Sequence, residues 1–184
     1  MKKVLLFSLL FIMLSTLCAF AYETIIINYP DNEKWESVYY KKLPFEAILQ
    51  YAPTGSTTDN WTRTIVVHSY KDTSFPINVF IHNNAARMLK ANPTAKYRTI
   101  KMSDNDALVT RCTQDYKNIQ AQCEFFKATR AHEGIVTIHY INRDKEDFMK
   151  NYTVWLEIIR NVKFLSSYYR DERTFNKSEY FELW

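Results

Sequence analysis

Four histidines and three cysteines are the residues of this chain best suited to chemistry, and their spacing restricts what they can do. His68, His82, His132 and His139 form no H-E-x-x-H and no other close ligand pair, so a metal centre would have to be assembled from distant segments. His68 and His139 each fall in a segment with strand character. If those strands pair, the two rings become neighbours, and a carboxylate beside them would complete a general base or a metal set. Strand histidines are more often half-exposed surface residues, so no residue is assigned as catalytic, cofactor-binding or metal-binding. His132 and Glu133 precede Gly134 in a turn, whose chemistry accounts for the glycine and leaves Glu133 no special role. Asp104 and Asp106 flank Asn105 as at the start of a calcium loop, but the glycine and distant glutamate of such a loop are missing. A tight turn is expected there instead.

Only two glycines occur in 184 residues. A phosphate-cradling loop needs backbone to approach its ligand without a Cβ, and neither G-x-G-x-x-G nor a Walker pattern can be built here. The G-x-S-x-G nucleophile elbow is absent as well. Nucleotide-dependent chemistry is not expected, and no cofactor is implied.

The chain opens as an export signal. Met1-Lys2-Lys3 is a short positive region, residues 4–17 form an apolar run, and Ala19-Phe20-Ala21 places small residues at the two positions a signal peptidase reads. Tyr22 is then the first mature residue. The cleavage box favours removal over an uncleaved anchor, although the apolar run approaches the ~17 residues that can barely span a bilayer. Leu17 stands where a lipoprotein signal wants a small residue, which argues against lipidation of Cys18. The Met-Lys-Lys start and the Lys, Asn, Ile and Tyr bias read as bacterial, so the sequons at Asn60, Asn151 and Asn176 would stay bare. The expected location is periplasmic or secreted.

Cleavage changes both charge and cysteine arithmetic. Of 24 basic residues Lys2 and Lys3 leave, so 22 remain against 20 acidic ones, a formal charge of +2. No basic run exceeds two residues, and a polyanion-binding stripe is lacking, so nucleic acid is not an expected partner. Cys18 also leaves, and Cys112 and Cys123 remain as an even pair in an oxidising compartment. Ten residues separate them, which suits a bridge across the two arms of a hairpin. A disulfide is expected, since two distant thiols without a nearby histidine do not make a metal site.

The elements that must position these residues follow from patterning. Strands are expected at 24–29, 35–43, 45–51, 61–70, 96–102, 107–113, 122–131 and 135–142, separated by Pro, Gly, Asn and Asp turn clusters. A first helix is expected after Ser74 as N-cap, with Ile77, Ile81, Ala85, Met88 and Leu89 on its apolar stripe and Pro93 beyond its end. A long second helix is expected over 145–163, capped by Asp144, with Phe148, Tyr152, Trp155, Leu156, Ile159 and Val162 facing a sheet. Trp61, beside the polar loop 53–60, is read as the anchor of its strand, with a binding rim as the alternative. Residues 164–184 carry seven aromatics, too many for a purely solvated tail. The tail either folds back over the domain or docks a partner through Tyr180, Phe181 and Trp184.

The expected architecture is α+β: a mostly antiparallel sheet of about seven or eight strands flanked by two main helices. It forms a single domain over 22–163, preceded by the signal peptide 1–21 and followed by an aromatic-rich extension, 164–184. This order, with Asn60-Trp61-Thr62 opening a strand and a late hairpin over 123–143, resembles the Mog1/PsbP-like sandwich and small exported bacterial proteins. The resemblance implies an accessory or binding role without catalysis, and it carries over no functional residue. The expected function is therefore an exported binding protein whose partner is a protein or cell-envelope component, with no stable membrane span after cleavage. A small hydrolase or metal-dependent enzyme built on His68 or His139, and a secreted effector, are the alternatives.

Overall fold

The computed structural model describes residues 23–30, 33–166 and 179–182. The expected export signal, with Cys18, Ala19, Ala21 and Tyr22, lies outside the described residues, as does Trp184.

The chain is α+β. Seven strands form an antiparallel sheet: β2 (Trp35–Leu43), β3 (Glu46–Pro53), β4 (Arg63–Lys71), β5 (Lys96–Met102), β6 (Asp106–Thr113), β7 (Gln122–Arg130) and β8 (Gly134–Asn142). Their spatial order is β2-β3-β4-β8-β7-β6-β5, so two meanders meet where β4 pairs with β8. Each strand is rich in β-branched and aromatic residues, and alternation sends successive side chains to opposite faces. In β4, Ile65 and Val67 enter one core, while His68 and Tyr70 lie on the other face.

The strand expected first, β1 (Glu23–Ile27), does not join this sheet. It pairs antiparallel with β9 (Lys163–Ser166) and β10 (Glu179–Glu182) in a separate three-stranded sheet. In that register Tyr180 stands opposite Ile26, and Phe181 opposite Ile25. Both strands from the end of the chain thus lie against the strand from its beginning.

Helices cover both faces of the main sheet. Residues Ile77–Ala91 form α1, Lys145–Lys150 form α2 and Tyr152–Arg160 form α3. The larger core lies between the sheet and α2 and α3: Ile65, Val67, Phe125, Ile138 and Tyr140 pack beneath Phe148, Trp155 and Ile159, with Ile25 and Ile27 alongside. Trp155 stacks on Tyr140 at 3.9 Å between ring centroids. The smaller core sets Ile77, Phe80 and Ile81 of α1 against Val109, Phe126, Ala128 and Ile135.

Two helix expectations are corrected. The single helix expected over 145–163 is broken at Asn151, whose side chain donates to the Asp147 carbonyl at 3.2 Å and to its carboxylate at 2.8 Å. The Asp147 carbonyl still accepts from the Asn151 N–H at 3.0 Å, but the Asn151 backbone leaves the helical region, with φ −101° and ψ 13°, and a new helix starts beyond it. Asp144 does cap α2, accepting from the Asp147 N–H at 3.0 Å. Asp147 does not reach back; its carboxylate serves Asn142 and Asn151. In the first helix Ser74 is not the cap. The helix begins at Ile77 after an extended Pro76, because the residue before a proline disfavours the helical region. The Ile77 N–H is satisfied by the Asp104 carbonyl at 3.0 Å. Ile77, Phe80 and Ile81 are its buried residues, and Leu89, expected on the apolar stripe, is 42% exposed.

Cys112 and Cys123 stand directly opposite each other on β6 and β7 and form a disulfide. The bridge closes the loop 114–121. Replacing both cysteines with alanine is expected to cost about 2–3 kcal/mol by the loop-closure argument. Urea unfolding of the double variant against wild type measures it, and coincident midpoints would show that the bridge contributes nothing.

Candidate functional site

The meeting of β4 with β8 brings together two residues 71 positions apart. His139 stands opposite Val66, and His68 opposite Thr137, so the two imidazoles are diagonal neighbours on the α1 face. Sequence patterning anticipated this neighbourhood. It did not identify the acids, and each histidine has one.

His139 Nδ1 lies 3.0 Å from Glu124 Oε2. A carboxylate at that position requires a hydrogen on Nδ1, which leaves Nε2 as the acceptor in the neutral ring. Nε2 faces Thr137 Oγ1 at 3.3 Å. The ring also stacks on Phe126, 4.2 Å between centroids. Glu124 is 1% exposed and forms an ion pair with the Arg111 Nε–H on β6. Arg111 in turn donates through Nη1 to Asn84 of α1 at 2.7 Å, and its guanidinium lies over Phe126 at 5.1 Å. Burial lowers the Arg111 pKa, and Tyr97 opposes the shift. His68 is held similarly: Nε2 contacts Glu46 Oε1, and the Tyr70 hydroxyl donates to Nδ1 at 2.9 Å. Burial, reinforced by the Glu46 charge, pushes the Tyr70 hydroxyl up to about 12, so it remains a donor at neutral pH.

Thr137, His139 and Glu124 have the order of a nucleophile, a base and an orienting acid. The arrangement nevertheless cannot meet a substrate as it stands. Thr137 is 0% exposed, in a central strand, and its hydroxyl also lies 3.3 Å from the His68 carbonyl. A nucleophile must reach a reacting atom at about 3–3.5 Å, and protein fills that space. Among the described residues no group of three or more His, Cys, Asp or Glu side chains is placed to hold a metal ion. The polar chain from Asn84 to Thr137 therefore acts as a buried brace between α1 and the sheet.

The other singled-out residues sit apart from it. His82 is exposed on α1, and its Nδ1 bonds the Asn78 carbonyl at 2.7 Å. His132 and Glu133 line a cleft of about 480 Å³ with Asp72, Thr73, Ser74, Arg130 and Gly134. Two of its charged side chains are engaged: Arg130 donates to the carbonyls of Thr73 and Phe75, and Glu133 pairs with Lys71 at 3.2 Å. Asp106, expected in a tight turn, accepts from Lys101 at 2.6 Å and from Thr129 at 2.8 Å beside the turn it closes. Trp61 is half-buried under the Arg143 guanidinium, 3.6 Å from its ring centroid, while Arg143 Nη1 donates to the Trp61 carbonyl at 2.9 Å. Among the described residues no helix is long and apolar enough to cross a membrane.

Exposed apolar side chains gather at a different place. Tyr39, Tyr40, Leu43 and Phe45 are 38%, 53%, 40% and 65% exposed, all on the hairpin of β2 and β3. Sequence reading took this segment only as strand, because its period does not announce which side chains lack a covering layer. No family model matches this chain, no curated protein matches it, and no solved structure matches it.

Burial lowers the pKa of both His68 and His139, that of His139 well below 6.5, with Arg111 and His68 adding to the effect at His139. A histidine held neutral in the fold stabilises it fully above the unfolded value and loses that contribution as pH falls toward the folded value. Stability is therefore expected to fall on acidification below about pH 6.5. His139→Gln should reduce the slope by about 1.4 kcal/mol per pH unit, one proton's worth. Urea titrations between pH 7 and 5 measure this, and an unchanged slope would show that His139 does not carry it. Glu124→Gln leaves Arg111 charged and buried, and is expected to cost about 3–5 kcal/mol at neutral pH. Thermal or urea unfolding reads that loss.

Proposed function

We propose that this chain is an exported, non-catalytic accessory protein of the bacterial envelope that binds a protein or envelope component. The observation that carries this reading is the run of exposed apolar side chains along one hairpin, with Tyr39 and Leu43 on one face, Tyr40 on the other and Phe45 at the turn. A soluble protein loses free energy by leaving such groups in water, and clusters of them mark contact surfaces. Aromatic anchors are over-represented where binding energy concentrates. The most chemically suggestive constellation is instead closed on itself, with Thr137 out of reach.

Export is supported by the disulfide, since such bridges persist in oxidising compartments, and by the signal-like segment 1–21 with its Ala19-Phe20-Ala21 ending. An antiparallel sheet with helices on both faces agrees in outline with a Mog1/PsbP-like layout, whose members act as accessory or binding subunits.

Cross-linking in intact cells, with a photoreactive group at Phe45, tests the binding reading. A discrete adduct is expected with wild-type surroundings, and Leu43→Asp should abolish it while leaving the melting temperature within a few degrees. An adduct of equal yield in that variant would remove the hairpin as the binding surface. N-terminal sequencing of the protein from the envelope or medium should begin at Tyr22; recovery there with Met1 would overturn cleavage in favour of an anchor, and recovery from the cytoplasm alone would overturn export.

A further inference from the structure

The main sheet ends in two edges of different character. At one end, β5 carries Lys96, Arg98 and Lys101. Their partners on β6, Cys112, Thr110 and Leu108, share one face, so the three cations form a single-sided row. Two such edges laid together would oppose like charges, a common device against edge-to-edge association. At the other end, β2 carries both signs, with Glu36 against Lys41 and Lys42. Nothing among the described residues pairs with its outer side.

The register of β2 with β3 shows how these charges are disposed. A bulge lies between Ser37 and Tyr39, so the alternation of faces shifts by one residue there. Beyond it, Tyr39 stands opposite Gln50 and Lys41 opposite Ile48; before it, Glu36 stands opposite Ala52. Gln50, Ile48 and Ala52 alternate on one strand and share a face, so Glu36, Tyr39 and Lys41 share that face too. Without the bulge, Glu36 and Lys41 would point to opposite sides. Glu36 Oε1 accepts from the Gly55 N–H at 3.0 Å, and the side chain remains exposed.

We propose that two copies of this chain join antiparallel through β2, with a two-fold axis at Tyr39. In this register, with Val38 left unpaired at the bulge, Glu36 of each copy faces Lys41 of the other, twice by symmetry. Tyr39 meets its own counterpart, and Tyr40 packs on the opposite face against the partner's Ser37. An isologous pairing of this kind satisfies both strand edges at once and closes, so it stops at two copies. The cationic β5 edges remain outside it and prevent extension into a filament. The hairpin tips, with Leu43 and Phe45, project past the paired segment, so the dimer presents two of them. The pairing uses β2 whether or not the tips bind a further partner, and it does not rest on the binding reading above.

Sedimentation velocity of the purified full-length exported protein over a concentration series tests this. A reversible monomer–dimer equilibrium is expected, weakening with added salt. Lys41→Glu should weaken it roughly tenfold or more, since two attractive pairs become repulsive. Glu36→Lys/Lys41→Glu should restore it, and so should an equimolar mixture of the two single variants, in which every facing pair is again complementary. Lys41 makes no side-chain bond among the described residues of its own copy, so an unchanged melting temperature of Lys41→Glu separates loss of pairing from loss of fold. Tyr39→Cys should form a covalent dimer on mild oxidation, and Ser56→Cys on the neighbouring loop should not. A wild-type protein that stays monomeric throughout, a Lys41→Glu variant that dimerises like wild type, or a double variant and mixture that fail to recover would each overturn the proposal.

Discussion

The antiparallel pairing of β4 with β8 is the constraint on which the rest of this structure depends. The strands are separated by more than sixty residues, yet nine consecutive positions pair, from Arg63 with Asn142 to Lys71 with Gly134. Each half of the chain is a meander that could form locally, but a three- or four-stranded meander leaves one face of each sheet thinly covered. Joining them creates a sheet wide enough for α2 and α3 to cover on one side and α1 in part on the other. Gly134 sits at the end of this ladder, where a Cβ would fall 2.0 Å from the Tyr70 carbonyl oxygen. The close approach there admits hydrogen only.

The same pairing explains why charged groups are tolerated inside. Glu124, Arg111 and His139 would each lose hydration on burial, at a cost of several kcal/mol for an isolated ion. Each is answered by the next, and the chain ends on Asn84 of α1. On the opposite face Lys127 Nζ donates to the carbonyls of Arg160 and Val162 at 2.9 and 3.3 Å, placing a cation where α3 ends and its carbonyls lack intrahelical partners. These polar groups tie each helix to a defined place on the sheet, which apolar packing alone does less specifically. A catalytic constellation and a structural brace can share residue types and distances, as Thr137, His139 and Glu124 do. Access separates them, and here the hydroxyl is sealed.

Part of this brace was written in the sequence without being obvious. Once Cys112 is paired with Cys123, an antiparallel hairpin places Arg111 opposite Glu124, so the ion pair follows from the disulfide and the strand period together. The joining of Glu124 to His139 depends on β7 pairing with β8, which the short turn at 131–133 implies. The partner of His68 was less accessible, because Glu46 reaches it across β3 and only after the β3–β4 register is known. The break at Asn151 was hidden for another reason. The apolar spacing of Phe148, Trp155, Ile159 and Val162 continues across it, and periodicity does not register one residue whose backbone leaves the helical region.

Local pattern by itself determined the α+β class, most strand positions, the apolar faces of the helices and the cysteine pair, because these depend on neighbours a few residues away. It also ruled out phosphate loops, since the chain has too few glycines to make them. Tertiary structure alone decided that β1 leaves the main sheet to pair with β9 and β10. It alone decided that the histidine chemistry is enclosed and that, among the described residues, nothing pairs with the outer side of β2. Those outcomes depend on which surfaces are left after the long-range pairings form. A strand's sequence states which sides could be buried, and only the completed sheet states which of them are.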